Sequence, residues 1–136
     1  MKKICLITTG GTIAMKYDGM SGYVPALTGQ DLYEQVPKLE ELAEIEILEW
    51  SNYPSPHIDI EIMFKLYKDI NEIIEKRNDI DGIVVTHGSD ILEETAFFLN
   101  VTLPRKKPVI ITAAMRTESE LGVDGPRNLL SAIRVA

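Results

Sequence analysis

At 136 residues, 45% of them hydrophobic and 26% charged, the chain is long enough for one compact domain and too short for two of ordinary size. Nine Gly and seven Pro exclude collagen-like and low-complexity classes, and no apolar run approaches the ~20 residues that a membrane helix requires. Fourteen basic against 21 acidic residues leave a net charge of −7, which argues against nucleic-acid and anionic-membrane partners.

Short apolar runs alternate with helical periodicity along the chain. Residues 3–8 read as a buried strand ending at Gly10-Gly11. Cys5 sits inside it as a small apolar residue; as the sole cysteine it forms no intrachain disulfide and no cysteine metal site. Lys2-Lys3 and the apolar stretch behind them are too short for a signal peptide, so the expected location is the cytoplasm. Residues 16–23, with Gly19 and Gly22, show no clear period. Thr28 with Asp31 three residues later resembles a capping box opening a short helix that ends before Pro37.

Residues 44–50 read as a second strand, followed by a loop, 51–57, fixed by Pro54 and Pro56. Asp59 is placed to cap a long helix whose apolar positions Met63, Leu66, Tyr67, Ile70, Ile73 and Ile74 fall at helical spacing. Residues 82–86 form a third strand, about 90–99 a helix, and 108–112 a fourth strand. Arg105-Lys106-Lys107, between two prolines, reads as a solvated turn. Asp124 caps a last helix with Pro126 in its first turn. Leu129, Leu130, Ile133 and Val135 are still in period at Ala136, so the chain is expected to be a truncated piece of a longer one. Apolar strands separated by amphipathic helices imply an α/β fold: a parallel, doubly wound sheet of the Rossmann-like or flavodoxin-like kind, incomplete over residues 1–136.

In such a sheet ligands bind beyond the carboxyl ends of the strands. The residues there are Thr8, Thr9, Gly10, Gly11 and Thr12; then Ser51, Ser55 and His57; then His87, Gly88, Ser89 and Asp90; then Thr112, Met115, Arg116 and Thr117. Hydroxyls gather at this edge with one carboxylate among them, which suits either a nucleophilic hydroxyl or a small polar ligand. Taken singly, each has a plainer use: Asp90 and Asp124 as helix caps, His87 as a satisfied polar residue under its loop. Gly10-Gly11 would let backbone N–H groups approach a ligand, but it is neither G-x-G-x-x-G nor a Walker A, and no G-x-S-x-G elbow is present. Nothing beside His57 completes a metal pattern; neither metal nor cofactor is expected.

Four blocks sharpen this. Residues 9–14 read TGGTIA, 86–95 THGSDILEET, 109–116 VIITAAMR and 124–129 DGPRNL. In this order and spacing the chain resembles the bacterial-type L-asparaginases, glutaminase-asparaginases included, from Lys3 to Ala136. The resemblance implies the leading part of a large N-terminal domain, with a smaller C-terminal domain absent from this chain. It also implies hydrolysis of the asparagine side-chain amide through an acyl-enzyme in a homo-oligomer, a dimer or tetramer.

By resemblance Thr12 is the first nucleophilic threonine and Tyr23 the lid tyrosine that hydrogen-bonds it. Ser55 holds the substrate α-carboxylate and Asp90 its α-ammonium. Ser89 stands where a second catalytic threonine is usual. Gly11, Gly88 and backbone groups around Ala114 complete the substrate contacts. The family's catalytic lysine, and a glutamate donated by a neighbouring subunit, would lie beyond Ala136. Three departures leave asparagine against glutamine preference open: Ser89 for threonine, Pro56 for a polar residue, and Ala113 for a common glycine. Two further readings share these motifs. One is a catalytically silent binding module; the other is the asparaginase-like subunit of a tRNA-dependent amidotransferase, against which stands the first strand's start at Met1.

Overall fold

A computed structural model describes all residues 1–136. Strands β1 (Lys2–Thr8), β4 (Ala43–Glu49), β5 (Gly82–Thr86) and β6 (Val109–Thr112) form one sheet in the order β4-β1-β5-β6, every pair parallel. Strands β2 (Met15–Tyr17) and β3 (Tyr23–Pro25) form a separate antiparallel ribbon. The helices are α1 (Gly29–Glu34), α2 (Ile60–Lys76), α3 (Leu92–Thr102) and α4 (Gly125–Val135).

Alternation along β1 shows why the sheet is covered on both sides. Ile4 and Leu6 face one core with Leu32 and Val36 near α1 and Leu129, Ala132 and Ile133 of α4. Cys5 and Ile7 face the other, with Leu66, Ile70 and Ile74 of α2 and Leu99 of α3. A strand buried on both faces has no position for a polar side chain, hence its unbroken apolar run. The chain moves outward from β1 to β4, then returns past β1 to β5 and on to β6. That reversal creates a switch point between β1 and β5, the position at which open sheets of this kind bind ligands.

The expected capping box is present: Thr28 Oγ1 accepts the Asp31 N–H at 3.1 Å, and Asp31 accepts the Thr28 N–H at 2.7 Å. Asp59 caps α2 by accepting the Ile62 N–H at 2.9 Å. Two expected caps are corrected. Asp90 does not cap α3, whose boundary residue is Ile91. Asp124 stands at the start of α4 but makes no capping bond there. Asp90 instead accepts the Ser55 hydroxyl, and Asp124 accepts the Met115 and Arg116 N–H groups, where several donors converge on one charge. Helix α3 also runs three residues past Leu99, to Thr102.

The stretch 16–23, without period in sequence, belongs to the β2–β3 ribbon. Its tip is an Asp18 turn, in which the carboxylate accepts the Met20 and Ser21 N–H groups at 2.8 and 2.6 Å. Gly19 and Gly22 there take positive φ. The base is anchored where Ala26 and Leu27 donate to the Ala14 carbonyl at 3.1 and 3.0 Å. The triplet 105–107 lies in a turn, with Lys106 bonded to Glu75 and Lys107 to the Arg77 carbonyl. No helix is long and apolar enough to cross a membrane.

Candidate active site

At the carboxyl edge the loops after β1, β4 and β5 are tied together by backbone. Thr9 donates both N–H and Oγ1 to the Thr86 carbonyl, at 3.2 and 2.8 Å. Its own carbonyl accepts the Tyr53 N–H at 2.8 Å and the Ser51 hydroxyl at 2.9 Å. Gly10 and Gly11 make this convergence possible. A Cβ on Gly10 would overlap the Tyr53 backbone, and one on Gly11 would overlap Gly88. Both take positive φ, at 110° and 84°, which only glycine adopts freely. The glycine pair therefore admits two neighbouring loops, a role not evident in sequence.

Beyond Gly11 a single turn, Thr12–Ala14, leaves Thr12 half-buried while Ile13 and Ala14 are buried. Gly88 is buried against Ser55: a Cβ there would strike the serine side chain. Ser55, 3% exposed, donates its hydroxyl to Asp90 Oδ2 at 3.0 Å and accepts the Asp90 N–H at 3.3 Å. Thr12, Ser55, Gly88, Ser89 and Asp90 thus belong to loops packed directly on one another. The hydroxyls of Thr8, Thr9 and Ser55 all have protein partners. Those of the half-buried Thr12 and Ser89 make no hydrogen bond within the chain and remain available to a ligand.

His87 lies under this loop, fully buried. Its Nδ1–H donates to the Gly88 carbonyl at 2.7 Å, which leaves Nε2 to accept from Thr95 Oγ1 at 3.2 Å. Burial lowers its pKa below the ordinary imidazole value, the Gly88 bond opposing only in part. A neutral ring with both nitrogens engaged supports the loop and has no lone pair free for proton transfer. His57 is exposed on the neighbouring turn.

Tyr23 is not bonded to Thr12 in this structure. It is 51% exposed on the ribbon and stacks edge-on against Tyr17 at 5.5 Å. Ala114 is 1% exposed at the end of β6. Its loop is held by residues that sequence reading assigned to another task or passed over: Asp124 accepts the Met115 and Arg116 N–H groups, and Asn128 donates to the Ala113 carbonyl at 2.9 Å. Glu49 was likewise missed; it accepts the Thr8 hydroxyl at 2.7 Å and the Gly29 N–H. The available signal was spacing, since Asp124 and Asn128 are one helical turn apart and share a face.

The family model described as "Asparaginase, N-terminal" matches residues 3–136. L-asparaginase 2 of Bacillus subtilis is 41% identical over 140 residues, covering 100% of this chain and 37% of that protein. The glutaminase-asparaginase of Acinetobacter glutaminasificans is 34% identical over 137 residues, covering 98% of this chain and 41% of that protein. Among solved structures, the probable cytoplasmic L-asparaginase from Campylobacter jejuni superposes with a TM-score of 0.89 at 38% identity, covering 98% of this chain and 41% of that one. The chain spans about two-fifths of the length of these relatives. With the parallel sheet, its switch point and the four sequence blocks all in agreement, the chain belongs to the asparaginase family and corresponds to its N-terminal region.

Proposed function

We propose that this chain forms the nucleophile-bearing part of an L-asparaginase, which hydrolyses the side-chain amide of L-asparagine to L-aspartate and ammonia. The observation that carries the reading is the Ser55–Asp90 pair beside the two unengaged hydroxyls of Thr12 and Ser89. A carboxylate and a hydroxyl in contact offer complementary partners to an α-ammonium and an α-carboxylate. In this reading the pair is a head-group site for an amino acid, and the Thr12 and Ser89 hydroxyls are the nucleophilic oxygens.

In this reading Thr12 Oγ1 attacks the amide carbon and its proton leaves with the departing ammonia, giving a β-aspartyl ester on Thr12. Water then attacks the ester, releasing aspartate and restoring the hydroxyl. Gly11, Gly88 and Ala114 line the substrate pocket with backbone, and the Tyr23 ribbon closes over it to exclude water. A free hydroxyl is a weak nucleophile and needs a base. Lys3, Lys16, Lys38, Lys65, Lys68, Lys76, Lys106 and Lys107 are each engaged with partners other than Thr12 or Ser89. Lys2 opens β1 at the opposite edge of the sheet. By resemblance to the family the activating lysine lies in chain outside these residues, and in this reading residues 1–136 alone bind substrate without turnover. The active protein is a cytoplasmic homo-oligomer, and L-glutamine is its candidate second substrate.

The test is ammonia release from L-asparagine and from L-glutamine by the full-length protein and its Thr12→Ala variant. Loss of release in a folded Thr12→Ala protein supports the assignment; near-normal turnover sinks it. Brisk hydrolysis by residues 1–136 alone would place the base within this chain.

A further inference from the structure

Two segments of the proposed site are fastened to the first turn of α4. Asp124, at the helix boundary, accepts the Arg116 N–H on Oδ1 at 2.9 Å and the Met115 N–H on Oδ2 at 3.0 Å. Asn128 Nδ2 donates to Asp124 Oδ2 at 3.2 Å and to the Ala113 carbonyl at 2.9 Å. The peptide groups on both sides of Ala114 are thereby held by two side chains one helical turn apart. The converging N–H donors keep the Asp124 carboxyl below its ordinary range, as expected for an acceptor that must stay ionised.

The same turn reaches the nucleophile. A Cβ on Gly125 would stand 3.2 Å from Ile13 Cγ1 and 3.6 Å from the Ala114 Cβ. One helical turn therefore packs close to both Ile13 of the Thr12–Ala14 turn and Ala114. In the asparaginase reading these two segments carry the nucleophilic hydroxyl and the backbone that contacts the substrate amide.

We propose that Asp124 and Asn128 are positioning residues, a clamp that sets the Ala114 backbone at a fixed distance from Thr12 and so aligns the substrate amide with the nucleophile. The proposal rests on the asparaginase reading of the site. The clamp touches no reacting atom; it acts through the loop. The carboxylate is chemically required, because an amide in its place offers one oxygen to two converging N–H groups and turns an NH2 toward the other. Misplacing reacting groups by a fraction of an ångström lowers turnover more than it weakens binding of the distant amino-acid head group.

The experiment compares Asp124→Asn and Asn128→Ser with wild type in the full-length protein. It measures kcat and KM for L-asparagine per folded molecule, with residue-resolved amide hydrogen exchange. The clamp predicts kcat lower by about 10- to 100-fold with KM changed by less than about three-fold. Exchange should quicken at Met115 and Arg116 while β5 keeps its wild-type protection. Wild-type kcat in variants whose Met115 and Arg116 amides exchange freely overturns the proposal. If Asp124→Asn also loses β5 protection, Asn128→Ser, which keeps the carboxylate and in the loop frees only the Ala113 carbonyl, decides on kcat and KM. Should both lose β5 protection, the residues serve stability alone and the clamp is overturned. An inactive wild type overturns the asparaginase reading and the clamp with it, whereas an active wild type with unchanged variants overturns the clamp only.

Discussion

Gly11 and Gly88 face each other across the switch point so closely that a methyl group on Gly11 would occupy the space of the Gly88 backbone. The contact joins the loop carrying Thr12 to the loop carrying Ser89 and Asp90. Gly11 also takes φ 84°. An alanine there meets both a conformational penalty and an unyielding neighbour, so Gly11→Ala should cost about 2–4 kcal/mol in urea denaturation. Gly88→Ala meets instead the Ser55 side chain and should cost about 1–3 kcal/mol. A double-mutant cycle separates the two. Ser55→Gly should recover part of the Gly88→Ala loss and none of the Gly11→Ala loss. Equal recovery would mean that the backbone yields where the geometry says it does not.

The acid stability of the fold should fall in two steps. His87 is buried, and its pKa is lowered from the ordinary value of 6.5 by desolvation. The unfolded chain therefore takes up a proton near pH 6.5 that the folded chain refuses, and stability declines as pH falls below that point. His87→Gln should remove this upper step from a plot of thermal midpoint against pH. Glu46 contributes to the lower one, together with Asp79 in the same network, whose carboxyl Arg77 also holds below its ordinary range. Arg77 holds Glu46 with two bonds of 2.8 Å and Lys3 at 3.1 Å, depressing its pKa from 4.5 to about 2. Its contribution is complete above the unfolded value and is lost as pH falls from about 4.5 to about 2. The network is solvent-exposed, so high salt should shrink the lower step and spare the upper. A salt-insensitive lower step would remove Glu46 from the explanation.

Cys5 should behave as a reporter of unfolding. It is 2% exposed between β1's neighbours and α2, and burial pushes its thiol up to about 11. The thiolate is the reactive form, so an aromatic disulfide reagent at pH 8 should label the native protein only at its opening rate. Labelling should accelerate with urea in step with loss of helical signal. Rapid labelling in buffer would show that the β1–α2 interface opens locally. Cys5→Ser, which places a hydroxyl without a partner in that core, should cost about 1–3 kcal/mol.

What could be read from sequence divides by the range of the interaction. The run at residues 82–86 and the spacing of Leu66, Ile70 and Ile74 report burial directly, and both β5 and α2 lie where expected. Thr28, Asp31 and Asp59 bond within three residues of themselves, so their caps were legible. Asp90 and Asp124 have the same local pattern but bond 35 and eight to nine residues away. Nothing in a short window separates a carboxylate that caps its own helix from one that anchors another loop. The ribbon escaped notice for a related reason: each of its strands has three residues, too few for alternation to register. Its pairing rests on backbone bonds and the Tyr17–Tyr23 contact. The motif blocks pointed to the loops at the carboxyl edge of the sheet, while the bonds from Asp124 and Asn128 to residues 113–116 became visible only in three dimensions.

The division of labour between Ser55 and Asp90 can be tested with a substrate that lacks one of the groups they are proposed to hold. Ser55 is buried and donates a hydrogen bond to the Asp90 carboxylate, a contact whose removal costs about 1.5–3 kcal/mol. If Asp90 binds the α-ammonium, Ser55→Ala should raise KM for L-asparagine by about 10- to 100-fold, with a smaller change in kcat. Asp90→Asn removes the charge itself and should raise KM further. Because Ser55 and Asp90 also bond each other, the double variant should fall short of the full sum by that shared hydrogen bond. Succinamate, which is asparagine without its amino group, cannot make the Asp90 contact. Its hydrolysis should be slow in wild type and insensitive to Asp90→Asn, while still depending on Thr12. If Asp90→Asn slows succinamate as much as it slows asparagine, the carboxylate is acting on the reacting end of the substrate and the head-group assignment fails.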